Sequence, residues 1–142
     1  MRLTNYNLGG GIMGRERKRI LCVEDDLDSC DMLRVLLHEY DVVTANTVGE
    51  GLKMARAERF DLYLLDSRYP DGSGVELCRQ LRLFDTETPV VFHSGLEGES
   101  DIRDAMNAGA QAYLVKPIGI DELEGNIERL LEPQPNPSRM DS

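Results

Sequence analysis

The chain has 142 residues, one domain's worth of sequence, with 41% hydrophobic and 30% charged residues as in an ordinary globular protein. It lacks an apolar run near 18 residues, which excludes a membrane span, and no apolar leader is evident, so a secretory signal is not expected; three spaced cysteines (Cys22, Cys30, Cys78) argue against a disulfide scaffold or a zinc ribbon and suit a reducing cytoplasm. Net charge is −10, but residues 1–19 hold five basic residues against one acid, so the remainder carries −14 and repels phosphate backbones; direct nucleic-acid binding is not expected.

Residues 1–18 read as a flexible tail. Gly9 to Gly14 formally matches a GxGxxG fingerprint, but that motif must follow a strand and open a helix, and this one precedes the first strand. From residue 19 strand and helix patterns alternate. Arg19–Val23 is an apolar strand. Asp28–Glu39 reads as a helix with Cys30, Leu33, Leu37 and Tyr40 on one face and Leu36 beside them; Asp28 or Ser29 is the expected cap, with Asp26 favouring the dipole. Val42–Thr44 is a strand and Val48–Glu58 a helix. Leu62–Leu65 is a strand, followed by a turn-rich loop, Asp66–Gly74. Val75–Leu83 is a helix and Pro89–His93 a strand. Glu99–Asn107 is a helix stopped by Gly109, Ala112–Val115 a strand, and Ile120–Leu131 a final helix. Three prolines in Pro133–Pro137 end regular structure. The expected layout is therefore a tail (1–18), one folded unit (19–132) and a Pro-rich tail (133–142).

Strict alternation predicts an α/β layer fold with a five-stranded parallel sheet, and nearly all-apolar strands predict helices on both of its faces. In such sheets the site lies beyond the carboxyl ends of the strands. There the sequence puts Glu24, Asp25 and Asp26 after the first strand, Asp66 after the third, Ser94 after the fourth and Lys116, followed by Pro117, after the fifth. Each alone is ordinary, since acids after a strand commonly serve a helix start and Lys-Pro a turn. Their convergence on one rim is not. Clustered carboxylates repel unless a cation sits among them, and hard oxygen ligands suit Mg²⁺, which keeps waters and admits a phosphoryl oxygen. Lys116 adds a point positive charge, and Ser94 a hydroxyl donor.

These residues resemble the receiver domain of two-component response regulators over about residues 18–132. The matching stretches are Val23-Glu24-Asp25-Asp26, Leu64-Leu65-Asp66 with Pro70 and Gly74 four and eight residues on, Val91-Phe92-His93-Ser94-Gly95, and Ala112-Tyr113-Leu114-Val115-Lys116-Pro117. The resemblance implies a flavodoxin-like, doubly wound (βα)5 fold with strand order 2-1-3-4-5. It implies that Asp66 accepts a phosphoryl group from a histidine kinase or a histidine phosphotransfer protein. Asp25 and Asp66 would ligate Mg²⁺, with Glu24 through a water and the backbone carbonyl of Arg68. Lys116 would neutralise phosphoryl charge, and Ser94 and Tyr113 would form a switch that turns inward on phosphorylation. The output face would be the Glu99–Asn107 helix, the last strand and the last helix. A downstream protein target and, on phosphorylation, a second copy of the chain are the implied partners, in the cytoplasm.

Ser94 stands where the family usually has Thr, Gly95 where it usually has Ala, and Glu24 where Asp is frequent. Arg68, two residues after the acceptor, is expected to govern access of the hydrolytic water, or else to be a solvated loop residue. His93 is expected on the face opposite Ser94, packed or solvated. His38 is expected at a helix end, where a cation suits the dipole, and Cys22 in the core. The expectation is a stand-alone or phosphorelay receiver, since no effector domain fits in the last ten residues, although the Pro-rich end also resembles the start of a linker. The alternative is a receiver-like binding module that does not use phosphate; such modules generally lose the acceptor, an acidic ligand or the lysine. A haloacid-dehalogenase-type phosphatase would carry a second Asp where this chain has Arg68.

Overall fold

The computed structural model describes residues 17–132. The Gly9–Gly14 stretch and the Pro-rich end, both predicted as tails, lie outside the described residues.

The central sheet has five parallel strands: β1 (Arg19–Val23), β2 (Asp41–Ala45), β3 (Leu62–Leu65), β6 (Val90–Ser94) and β7 (Ala112–Val115). Their order is β2-β1-β3-β6-β7, the expected 2-1-3-4-5 when only the main strands are counted. The additional pair, β4 (Arg68–Tyr69) and β5 (Gly72–Ser73), forms an antiparallel hairpin inside what the sequence predicts as a loop. Two-residue strands carry no periodicity to read. Five helices complete the unit: α1 (Leu27–Leu36), α2 (Val48–Ala57), α3 (Gly74–Arg82), α4 (Glu99–Ala108) and α5 (Ile120–Leu131).

Because side chains alternate along a strand, each apolar strand feeds two cores. Leu21, Val23, Tyr63, Leu65, Val90 and Phe92 pack one face with Ala55 of α2, Leu77 and Leu81 of α3 and Ala105 of α4. Ile20, Cys22, Leu62, Leu64, Val91 and Leu114 pack the other with Leu33 of α1, neighbouring Leu37, and Leu123 and Ile127 of α5. Cys22 is in the core as expected, and Cys30 and Cys78 are also buried free thiols.

Several boundaries move for local reasons. The cap of α1 is Asp26, whose carboxylate accepts from Ser29 N at 3.1 Å, not Asp28 or Ser29. That helix stops at Leu36 rather than Glu39. Beyond it, the carbonyls of His38, Glu39 and Tyr40 accept from the Arg17 guanidinium instead of continuing the helical ladder. Arg17, assigned to the tail by sequence, supplies the cation at this helix end, while His38 is exposed beyond it. Ser94 is the last residue of β6 rather than the first after it. Gly109 ends α4 at φ 117°, a left-handed conformation that suits glycine.

Candidate functional site

Parallel pairing puts the ends of β1, β3, β6 and β7 side by side, and the predicted residues stand there. Glu24, Asp66 and Lys116 each follow their strand directly. Lys116 Nζ lies 3.0 Å from Asp66 Oδ2 and 3.2 Å from Glu24 Oε1. One ammonium thus bridges two carboxylates on different strands. The Lys116–Pro117 peptide is cis.

Solvent access separates the members. The Glu24 side chain is 6% exposed, Asp66 18% and Lys116 31%, so the acceptor candidate is reachable while Glu24 is enclosed. Burial pushes the Glu24 carboxyl up, and the Asp66 charge adds to this; the Asp26 N–H and Lys116 oppose them. Burial alone would lower the Lys116 ammonium, but Asp66 first and then Glu24 outweigh it and raise it. Glu24 Oε2 also accepts from Asp26 N at 3.1 Å, which fixes its remaining oxygen. Asp25 is exposed on the same rim.

Glu24, Asp25 and Asp66 offer three carboxylates against one ammonium. That excess of hard, negative oxygen fits a divalent cation with waters in its shell. Among the described residues no three acidic, His or Cys side chains close into a ready-made cage.

The hydroxyl members form a second layer. Ser94 is fully buried, and its Oγ accepts from Leu96 N at 3.1 Å. Tyr113 stacks on Phe92, centroids 5.6 Å apart and planes 9° apart, and its hydroxyl donates to the Leu96 carbonyl at 2.6 Å. Its ring is turned inward. A Cβ at Gly95 would meet nothing within 4 Å, so the space beside Ser94 is open. Arg68 is exposed on β4. His93 is half-buried, and burial first, then Lys116, hold its imidazole down at about 4 against the pull of Asp66.

Three residues that sequence reasoning passed over bond to Asp66, to Ser94 or, from the hairpin beside them, to the start of α2. Tyr69 is buried, and its hydroxyl accepts from Asp66 N at 2.6 Å and donates to the Val23 carbonyl at 2.8 Å. It stitches β1 to β3 at the residue where the chemistry would occur. Asp71, in the hairpin turn, accepts from Val48 N and Gly49 N at 2.8 and 3.0 Å, tying the hairpin to the start of α2. Those two amides hold its carboxyl below the ordinary range. Ser67 Oγ donates to Ser94 Oγ at 2.6 Å. A signal for Tyr69 was available: a tyrosine directly before a Pro-Asp-Gly turn has a polar tip that needs a partner if its ring is buried.

Gly74 explains the glycine spacing. A Cβ there would lie 1.9 Å from the Asp66 carbonyl oxygen and 2.9 Å from the Phe92 ring. Only a residue without one lets α3 begin against the Asp66 backbone. A cleft of about 690 Å³ at the opposite end of the sheet, between Phe60 and Phe84, contains none of these residues.

A model of the response regulator receiver domain family matches residues 20–128. The transcriptional regulatory protein CrdR of Helicobacter pylori is 34% identical over 122 residues, covering 84% of this chain and 57% of CrdR. The cell cycle response regulator CtrA of Brucella ovis is 33% identical over 115 residues, covering 80% of this chain and 50% of CtrA. The chain thus spans about half the length of these curated relatives. The non-phosphorylated HemR receiver domain from Leptospira biflexa superposes with a TM-score of 0.78 at 30% identity, over 84% of this chain and 98% of that one. A CheY-like receiver domain protein from Methanospirillum hungatei gives 0.75 at 34% identity, over 82% and 94%. The family match runs from β1 into α5, across every strand of the sheet, and the chain is a member of the response regulator receiver domain family.

Proposed function

We propose that Asp66 accepts a phosphoryl group from the phosphohistidine of a sensor kinase or phosphotransfer protein, and that this charge sets the state of a partner-binding face. The observation that carries the reading is the Lys116 ammonium 3.0 Å from a reachable Asp66 carboxylate, with the enclosed Glu24 beside it. A carboxylate oxygen of Asp66 attacks phosphorus, the bond to the imidazole nitrogen breaks, and the imidazole leaves with that electron pair. Lys116 faces the charge that builds on the phosphoryl oxygens, in a site where it is already oriented. Glu24, Asp25, Asp66 and the Arg68 carbonyl would hold Mg²⁺, which when bound neutralises that same charge. Water attack at phosphorus returns Asp66 and phosphate, so the chain limits its own signal without acting on an outside substrate.

Access supports a protein donor. Leu27, at the rim end of α1, and Met32 and Val35 further along it are 65%, 54% and 71% exposed, an apolar surface suited to a helical donor. Output would run through Ser94 and Tyr113 to α4, β7 and α5, for a downstream target or a second copy of the chain. Nucleic acid is not an expected partner of this acidic unit, and among the described residues no helix is long and apolar enough to cross a membrane. We infer that Arg68, exposed two residues after Asp66, influences the water that ends the signal; Arg68→Ala is expected to change the rate of phosphate loss, and an unchanged lifetime would remove that role.

The test is exposure of the chain to acetyl phosphate or phosphoramidate, with Mg²⁺ or with chelator, followed by intact mass. A gain of about 80 Da, one phosphoryl group in place of a proton, is expected with Mg²⁺ only and not in Asp66→Ala. No gain with either donor would contradict the reading and favour a binding module that does not use phosphate.

A further inference from the structure

Ser67 has no part in the roles set out above, yet it touches three of the residues that have one. Its backbone N–H donates to Asp66 Oδ1 at 2.6 Å. Its hydroxyl donates to Ser94 Oγ at 2.6 Å and lies 3.3 Å from the Tyr113 hydroxyl. Leu96 closes the circuit, giving its N–H to Ser94 Oγ and receiving the Tyr113 hydroxyl at its carbonyl. Ser67, Ser94, Leu96 and Tyr113 therefore form a ring of polar contacts, every partner in it a residue of this chain.

The protons in this ring can be counted. A hydroxyl oxygen accepts at two lone pairs and donates once. Ser67 and Leu96 take both lone pairs of Ser94, so what Ser94 has left is its own proton. Tyr113 gives its proton to Leu96, and Ser67 gives its own to Ser94. The 3.3 Å contact between Ser67 and Tyr113, in which either hydroxyl could be the donor, is the loosest in the ring and the natural place for it to open. Ser67 thus determines which hydrogen-bonding capacity Ser94 has free, and it stands against the one polar atom of a tyrosine otherwise held by Phe92 and Leu96.

We propose that Ser67 is a positioning residue of the switch: its hydroxyl leaves Ser94 with a proton for the phosphoryl group and holds Tyr113 inward. Asp66 then acts on Tyr113 by two routes, through Ser94 and through the residue bonded next to the acceptor. This rests on the reading of Asp66 as phospho-acceptor. Removing the Ser67 hydroxyl deletes one net hydrogen bond to Ser94 and one contact to Tyr113, which corresponds to about a fivefold fall in the ratio of inward to outward Tyr113.

The experiment uses the full chain labelled with 3-fluorotyrosine and read by fluorine NMR, with the Tyr113 signal assigned by its loss in Tyr113→Phe. Wild type, Ser67→Ala and Ser67→Thr are compared, each with and without beryllofluoride and Mg²⁺ as a stable phosphoryl mimic. In Ser67→Ala the Tyr113 signal is expected to move towards its solvent-exposed position and to return on adding the mimic; in Ser67→Thr, which keeps a hydroxyl, it is expected to stay at the wild-type position. The buried Tyr63 signal, unchanged, shows that the variant is folded. A Tyr113 signal in Ser67→Ala that coincides with wild type overturns the proposal, as does a displacement that Ser67→Thr reproduces. Intact mass of the same samples after acetyl phosphate separates the two readings. Wild type that takes up no phosphoryl group refutes the acceptor role; wild type that does, with Tyr113 indifferent to Ser67, refutes this inference alone.

Discussion

At the scale of single residues, the site depends on one ammonium serving two carboxylates. Lys116→Ala would leave Glu24 and Asp66 facing each other across the rim with no protein cation between them. We expect the initial rate of phosphorylation by acetyl phosphate to fall by about a hundredfold, the scale on which a positioned charge donor acts, with the fold intact. A rate within a few-fold of wild type would place the needed charge elsewhere. Tyr69→Phe makes a separate point. It removes a hydroxyl that satisfies Asp66 N and the Val23 carbonyl inside the protein. An unsatisfied buried pair costs about 1–3 kcal/mol, measurable as a lower urea midpoint at unchanged slope. The acidic, lysine and hydroxyl residues were legible in the sequence because their chemistry recurs at strand ends, where topology forces convergence. Ser67 and Asp71 were not, because a hydroxyl or carboxylate in a loop reveals its partner only once the loop is folded; for Tyr69 the need for a partner was legible but not the partner.

At the scale of elements, apolar runs placed β1, β3, β7 and α5 at the boundaries they have, since a strand buried on both faces is unmistakable when short turns flank it. Helix ends were less legible. Just past the end of α1 the carbonyls are held by Arg17, more than twenty residues away, and local periodicity contains nothing of that. The β4–β5 hairpin is not legible as strands for a related reason: what defines it is Asp71 on the start of α2 and Gly74 against Asp66. Gly74→Ala would push a methyl to 1.9 Å from the Asp66 carbonyl oxygen, which forces α3 and the acceptor apart. Loss of stability of about 2 kcal/mol or more is expected, with slower phosphorylation of whatever remains folded. A variant as stable and as quickly phosphorylated as wild type would show that the α3 start can shift freely.

At the scale of the whole molecule, the site sits at the carboxyl edge of a sheet whose two cores are apolar throughout, and His93 links that edge to overall stability. Its imidazole is held at about 4, by burial first and the Lys116 charge second, against an unfolded value near 6.5. The unfolded chain therefore takes up this proton first as the pH falls. The contribution of neutral His93 is complete above about pH 6.5 and declines as the pH falls towards 4, by an amount on the order of 2–3 kcal/mol after allowing for its partial exposure. Urea unfolding at pH 7.5 and pH 5 is expected to show a little over half of this loss in wild type and a flatter response in His93→Gln. Equal pH dependence in the two proteins would assign the acid sensitivity to carboxylates instead.

All of this turns on whether Asp66 becomes an acyl phosphate, and that bond can be trapped. The chain is phosphorylated with acetyl phosphate and Mg²⁺ and then treated with borohydride, which reduces an acyl phosphate to the alcohol. Peptide mass spectrometry should find homoserine at position 66 and aspartate intact at positions 25 and 26. Homoserine at either of those positions, or at none while the intact protein has gained a phosphoryl group, would contradict the account.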